Sequence, residues 1–160
     1  MTAHFKVLEV DDAPFFAGEL FQRVFGAAIP TYPRHFVCLY RKDAATLLPV
    51  GYVHFSRFES MHLSGGQVVD RDAYASIPSA HLDELPRRSI GEYVMAEGIR
   101  QLGPTAAVFA FIGAPRSVEV NRDVGYVPTH VENLYAFWLQ DFPAEVKRAA
   151  ADRVSRIAPF

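Results

Sequence analysis

The stretch Arg88-Ser89-Ile90-Gly91 has the composition of a diphosphate site. A serine ahead of an apolar-periodic run starts a helix, and the first turn of a helix leaves backbone N–H groups unpaired at the positive end of its dipole. An arginine just before that turn adds fixed charge. The glycine within it removes a side chain that would keep a phosphate away. The other reactive residue types are poorly grouped. Cys38 is the sole cysteine and lies inside the apolar run 36–40, so it reads as a small buried strand residue. Neither a disulfide nor a multi-cysteine zinc site is available. Histidines at 4, 35, 54, 62, 81 and 130 show no metal-ligand spacing. Only His54 and His62 are expected to face each other, across a hairpin.

Three short motifs lead nowhere. Leu63-Ser64-Gly65-Gly66-Gln67 spells the signature peptide of ATP-binding-cassette ATPases, but the phosphate-cradling loop that must accompany it is missing from the sequence. Its glycines read instead as a bulge between strands. His130-Val131-Glu132 has the H-x-E of zinc deaminases without their cysteine pair. No G-x-S-x-G elbow occurs, so a covalent intermediate is disfavoured.

Elements must position the Arg88 segment. Residues 5–10 alternate as a half-buried strand, and Asp11-Asp12 ahead of Ala13-Pro14 opens a helix running to about Gly26, with Phe16, Leu20, Val24 and Phe25 inward. Residues 36–40 and 47–58 read as strands. In the second, Val53 and Phe55 share one face while Tyr52, His54, Ser56 and Phe58 share the other, which makes it central. Residues 59–62 turn the chain and 63–69 return. Residues 71–86 lack periodicity beyond a short helix at 79–85. From Ser89 a helix carries Ile90, Val94, Ile99 and Leu102 on one stripe, has Glu92 at capping-box spacing, and stops at Gly103-Pro104. A buried strand at 106–112, a short helix at 116–123, strands at 126–131 and 134–139 and an amphipathic helix at 143–157 complete the chain.

At 160 residues with a net charge of −2, the sequence suits one domain and lacks the basic footprint of a nucleic-acid binder. It has no apolar run of membrane-spanning length and no secretory-type start, so a cytoplasmic location is expected. The last helix carries Val146, Ala149, Ala150, Val154 and Ile157 on its apolar side. These small residues suit docking on the domain's own sheet or on a twin subunit in a homodimer, rather than on a membrane.

The order strand, helix, two strands, return strand, helix, strand, short helix, two strands resembles the GNAT superfamily of acyl-CoA-dependent N-acyltransferases, over roughly residues 5 to 140. Arg88-Ser89-Ile90-Gly91-Glu92-Tyr93 is similar to that family's diphosphate loop, Q/R-x-x-G-x-G/A, with tyrosine at the last fixed position. Asn121-Arg122-Asp123-Val124-Gly125-Tyr126 is similar to its Y-x-x-x-G-F/Y element, with Asn121 where the family has the tyrosine that protonates the departing thiolate. The resemblance implies an α/β fold: a mixed sheet of six to seven strands, helices on both faces, and a wedge between two splayed central strands. It implies acetyl-CoA as acyl donor, no metal, and direct attack by an amine of a small molecule. Arg88, Ser89, Ile90, Gly91, Glu92, Tyr93 and Asn121 would then hold coenzyme A, and a backbone N–H at Val68 or Val69 would polarise the thioester carbonyl. Glu59 and Asp70 are the candidate bases and Tyr126 the candidate acid. The alternative is a non-catalytic ligand-binding or assembly module of the same shape.

Overall fold

The computed structural model describes residues 2–31, 33–157 and 160. The chain begins with β1 (Phe5–Val10), α1 (Ala13–Phe25), β2 (Arg34–Arg41), β3 (Leu47–Phe58) and β4 (Met61–Val69). Two short helices follow, α2 (Arg71–Ser76) and α3 (Ser79–Leu82), and then α4 (Ile90–Gln101) and β5 (Ala107–Phe111). The last elements are α5 (Pro115–Val124), β6 (Val127–Pro128), β7 (Leu134–Trp138) and α6 (Ala144–Ser155). Seven strands form one mixed sheet in the order β1-β2-β3-β4-β5-β7-β6. Helices cover both faces, as the resemblance implies.

Among the described residues only β4 and β5 run parallel, and they pair at His62 with Val108 and Leu63 with Phe109. Past that point the two strands carry no further ladder, and a wedge opens. The cause is local: Gly66 takes φ 59°, and the β3–β4 register slips between Tyr52 and His54, so the strand bulges and bends away. The glycine pair is thus the bulge the sequence suggested.

Strand alternation fixes what each face buries. α4 and α5 lie over Phe36, Val53, Phe55 and Val108, whereas α1 lies over Val37, Tyr52 and Val68 on the opposite face. α6 shares that second face and packs Ala150, Ala151 and Val154 on Leu63, Phe109, Leu134 and Ala136. The last helix therefore docks on its own sheet, and Val146, expected inside, is 45% exposed. A similar rotation affects α1. Its buried residues are Ala13, Ala17, Leu20 and Phe21, while Val24 and Phe25 are exposed. Phe21 meets Tyr52 edge-on, and that contact sets the rotation of the helix.

α2 has no counterpart in the periodicity of its segment. It exists because Asp70 caps it, accepting from the N–H groups of Asp72 and Ala73 at 3.0 and 3.1 Å. β6 is shorter than expected because Pro128, with no N–H, ends its ladder. Cys38 is fully buried, and burial pushes its thiol up to about 12, so it is inert. No helix among the described residues is long and apolar enough to cross a membrane.

Candidate active site

A cavity of about 830 Å³ occupies the open end of the wedge. One wall is the end of β4, Gln67 to Val69; a second is the first turn of α4, Ser89 to Gly91; a third is the start of α5, with Arg116, Ser117 and Val120. Arg23 of α1 and Asp70, Arg71 and Asp72 of α2 close it. Three arginines thus face two aspartates, leaving one excess positive charge on the lining. Arg23 is held by Asp70 at 3.2 Å and Asp72 at 3.8 Å, and Arg116 pairs with Glu119 at 2.6 Å.

The α4 start is built as its spacing predicts. The Ser89 hydroxyl accepts from the Glu92 N–H at 3.2 Å, and the Glu92 carboxylate accepts from that hydroxyl and from the Arg88 N–H, each at 3.3 Å. The N–H groups of Ile90 and Gly91 have no acceptor among the described residues. They are the unpaired donors of a helix N-terminus on a cavity wall, where an anion binds well. A Cβ on Gly91 would meet Val120 and Val69 at 3.5 Å and Gln67 at 3.6 Å, so the site has room for a methyl group and none for a branched side chain.

A polar bridge ties the three walls. Gln67 Nε2 donates to the Gly91 carbonyl at 2.7 Å, and Asn121 Nδ2 donates to the Ser117 carbonyl at 2.8 Å and to Gln67 Oε1 at 3.5 Å. Asn121 Oδ1 is buried without a partner, which ordinarily costs about 1–3 kcal/mol.

No protein-family model matches the chain, and no curated protein matches its sequence. Among solved structures, a mutant of the AtaT toxin, determined bound to the C-terminus of the antitoxin AtaR, matches it with a TM-score of 0.53. The two are 13% identical, over 94% of this chain and 98% of that one. The chain has the GNAT fold. AtaTR bound with AcCoA matches with a TM-score of 0.47 at 14% identity, over 95% of this chain and 98% of that one.

In this GNAT-fold chain Val68, Val69, Asp70, Ser89, Ile90 and Gly91 line the cavity. The other residues singled out in the sequence do not. Arg88 turns outward to Asp123 at 3.3 Å and, with Glu92, lines a separate depression of about 380 Å³. Tyr93 lies half-buried against the core on the sheet side of α4, so it does not narrow the diphosphate wall. Asn121 stands one layer behind the cavity. Glu59 occupies a φ 53° turn and pairs with Arg153 at 3.1 Å. It sits beyond the far end of β4 from Asp70, at roughly 3.3 Å per strand residue. Asp70 itself is engaged through both oxygens, as α2 cap and as partner of Arg23. Tyr126 is 2% exposed, with its hydroxyl 3.1 Å from Ser64 Oγ and 3.6 Å from Met95 Sδ. Burial pushes its pKa up, and its hydroxyl lies off the cavity lining.

Gln67 closes the 63–67 peptide, and Arg116 and Arg23 belong to no sequence motif. Arg116 alone carries a signal: a cation in the first turn of a helix opposes the dipole and calls for an anion nearby. His54 and His62 do not face each other either. They pair with Gly65 and Arg57, and His62 bonds Thr105 at 3.0 Å. His54 instead joins a buried line in which His35 Nδ1 lies 2.8 Å from the Tyr52 hydroxyl, itself 3.1 Å from His54 Nδ1.

Burial, and then the charge of His35, push His54 down to about 4 from an ordinary 6.5. The unfolded chain therefore binds the extra proton first as pH falls. Stability from neutral His54 is complete above pH about 6.5 and falls steadily towards pH 4, by a total on the order of 3 kcal/mol. The melting temperature should drop between pH 7.5 and 5 by more in the native chain than in His54→Gln. Equal drops in the two proteins would contradict a buried neutral His54.

Proposed function

We propose that this chain is an acyl-CoA-dependent N-acyltransferase that moves an acetyl group from acetyl-CoA to an amine of a small molecule. The observation that carries this is the wedge cavity itself. It brings together two unpaired helix N–H groups, a guanidinium set against its own helix dipole, and a strand whose hydrogen-bonding edge is freed by a bulge. The first two suit a diphosphate. The third suits the amide groups of a pantetheine arm, which would lie along Gln67 to Val69.

The geometry supports a direct reaction. A backbone N–H near Val68 or Val69 polarises the thioester carbonyl, the amine nitrogen attacks the carbonyl carbon, and the C–S bond breaks to release a thiolate. Neither Asn121 nor Tyr126 lines the cavity to serve as an acid for that thiolate. We take its proton to come from the nitrogen of the tetrahedral adduct. Asn121→Ala and Tyr126→Phe should then each lower kcat by less than about tenfold, against the 10²–10⁴ typical of losing a general acid. A larger loss in either, measured as thiol release, would restore that residue to the chemistry.

Asn121, bonded to the Ser117 carbonyl and unable to act as an acid, favours one rival, a binding or assembly module without turnover. Incubating the chain with acetyl-CoA and a panel of primary amines separates the two. The enzyme reading predicts amine-dependent thiol release; binding without release supports the module.

A further inference from the structure

We propose that His54 is the general base of the acyl transfer described above, holding Nε2 over the Gly65-Gly66 bulge to take a proton from the acceptor ammonium, with Tyr52 and His35 positioning it. The inference rests on the acyltransferase reading and adds the residue that reading lacks, since Glu59 and Asp70 are both committed elsewhere.

The imidazole edge lies flat on two glycines. A Cβ on Gly65 would sit 2.7 Å from His54 Nε2, and one on Gly66 would sit 2.6 Å from Cε1 and 2.8 Å from Nδ1. Neither position accepts a side chain while the ring is there. These glycines lie just past Leu63, where the β4–β5 ladder ends, and Gln67 to Val69 lead from them into the cavity. A ligand with its diphosphate at Ile90 and Gly91 and its arm along Gln67 to Val69 would bring its thioester to this bulge, next to Gln67 on the cavity wall.

Two proton arrangements fit the line, and the proposal requires one of them. In it the Tyr52 O–H donates to His35 Nδ1 over 2.8 Å and the His54 N–H donates to the Tyr52 oxygen over 3.1 Å. The lone pair of His54 then lies on Nε2, which has no hydrogen-bond partner among the described residues. The groups facing the ring are Phe21 from α1, His35 from β2, Tyr52 on β3, the two glycines of β4, and the Phe160 main chain against Gly65. The nearest carboxylate along the line is Glu9, which acts on His35.

The step balances. Nε2 takes one proton from R–NH3+, the freed nitrogen forms the C–N bond, and the C–S bond breaks. The thiolate takes the second nitrogen proton, and the imidazolium returns its own to solvent through Tyr52 and His35. One proton is released per acyl group transferred.

The test uses the full chain, acetyl-CoA and two probe amines: ethylamine, an ammonium at neutral pH, and methoxyamine, already unprotonated there. His54→Gln should lower kcat by about 10² or more with ethylamine and by less than about tenfold with methoxyamine, with an unchanged KM for acetyl-CoA. Equal losses with both amines, or no loss, overturn the proposal. Tyr52→Phe keeps the packing and should shift the acid limb of the ethylamine pH profile. An unmoved limb also overturns the proposal, whether or not His54→Gln folds. A native chain that binds acetyl-CoA yet acylates neither amine refutes His54 as base and leaves the cavity assignment standing. One that does not bind acetyl-CoA refutes the acyltransferase reading itself.

Discussion

Val154→Asp is expected to lower the melting temperature by on the order of 10 °C. Val154 has no exposed surface and, with Ala150 and Ala151, seals α6 onto Leu63, Phe109, Leu134 and Ala136. A carboxylate there has no partner, and an unpaired buried charge costs several kcal/mol, each worth roughly 2–4 °C in a chain of this size. Because the contact lies within one chain, the loss should not depend on protein concentration. Val146→Asp, on the exposed side of the same helix, is the control and should shift melting by little. A Val154→Asp protein that melts with the native chain would show that α6 is not part of the cooperative unit.

Gly66→Val should be at least as damaging, and for a different reason. Its Cβ would fall within 2.6 Å of both Phe21 and His54, and the backbone there holds φ 59°, which a β-branched residue strongly resists. Relief requires β4 to straighten, which closes the wedge. We expect a loss of about 3 kcal/mol or more in urea unfolding, together with loss of acetyl-CoA binding. Gly91→Ala is the contrast, since its methyl group meets only ordinary contacts. A stable, acetyl-CoA-binding Gly66→Val protein would mean that the bulge does not open the wedge.

Much of this architecture is readable from local signals, because those signals and the tertiary contacts agree. The Asp12 cap and Pro14 start α1, the alternation of residues 47–58 is β3, and Ser89 with Glu92 starts α4. Three parts are illegible. α2 depends on one cap in a stretch without periodicity. The inner face of α1 is set by Phe21 meeting Tyr52, a contact of long sequence separation. The cavity takes its arginines from three separate elements, and no local pattern states that Arg23, Arg71 and Arg116 converge. The motif residues mislead where side-chain direction matters. Arg88 belongs to the diphosphate motif yet points to Asp123, and Tyr126 aligns with a family aromatic yet is sealed beneath Ser64. His54 reads as a strand histidine, and only the opposing glycines give it a place near the wedge.

Calorimetric titration of acetyl-CoA into the native chain, repeated with Gly91→Val and Arg116→Ala, tests the central claim most directly. The account predicts one molecule bound per chain, affinity that falls as salt is raised, and weaker binding in both variants, with the melting temperature of Arg116→Ala close to native. No heat of binding to the native chain, or full affinity in both variants, would contradict it.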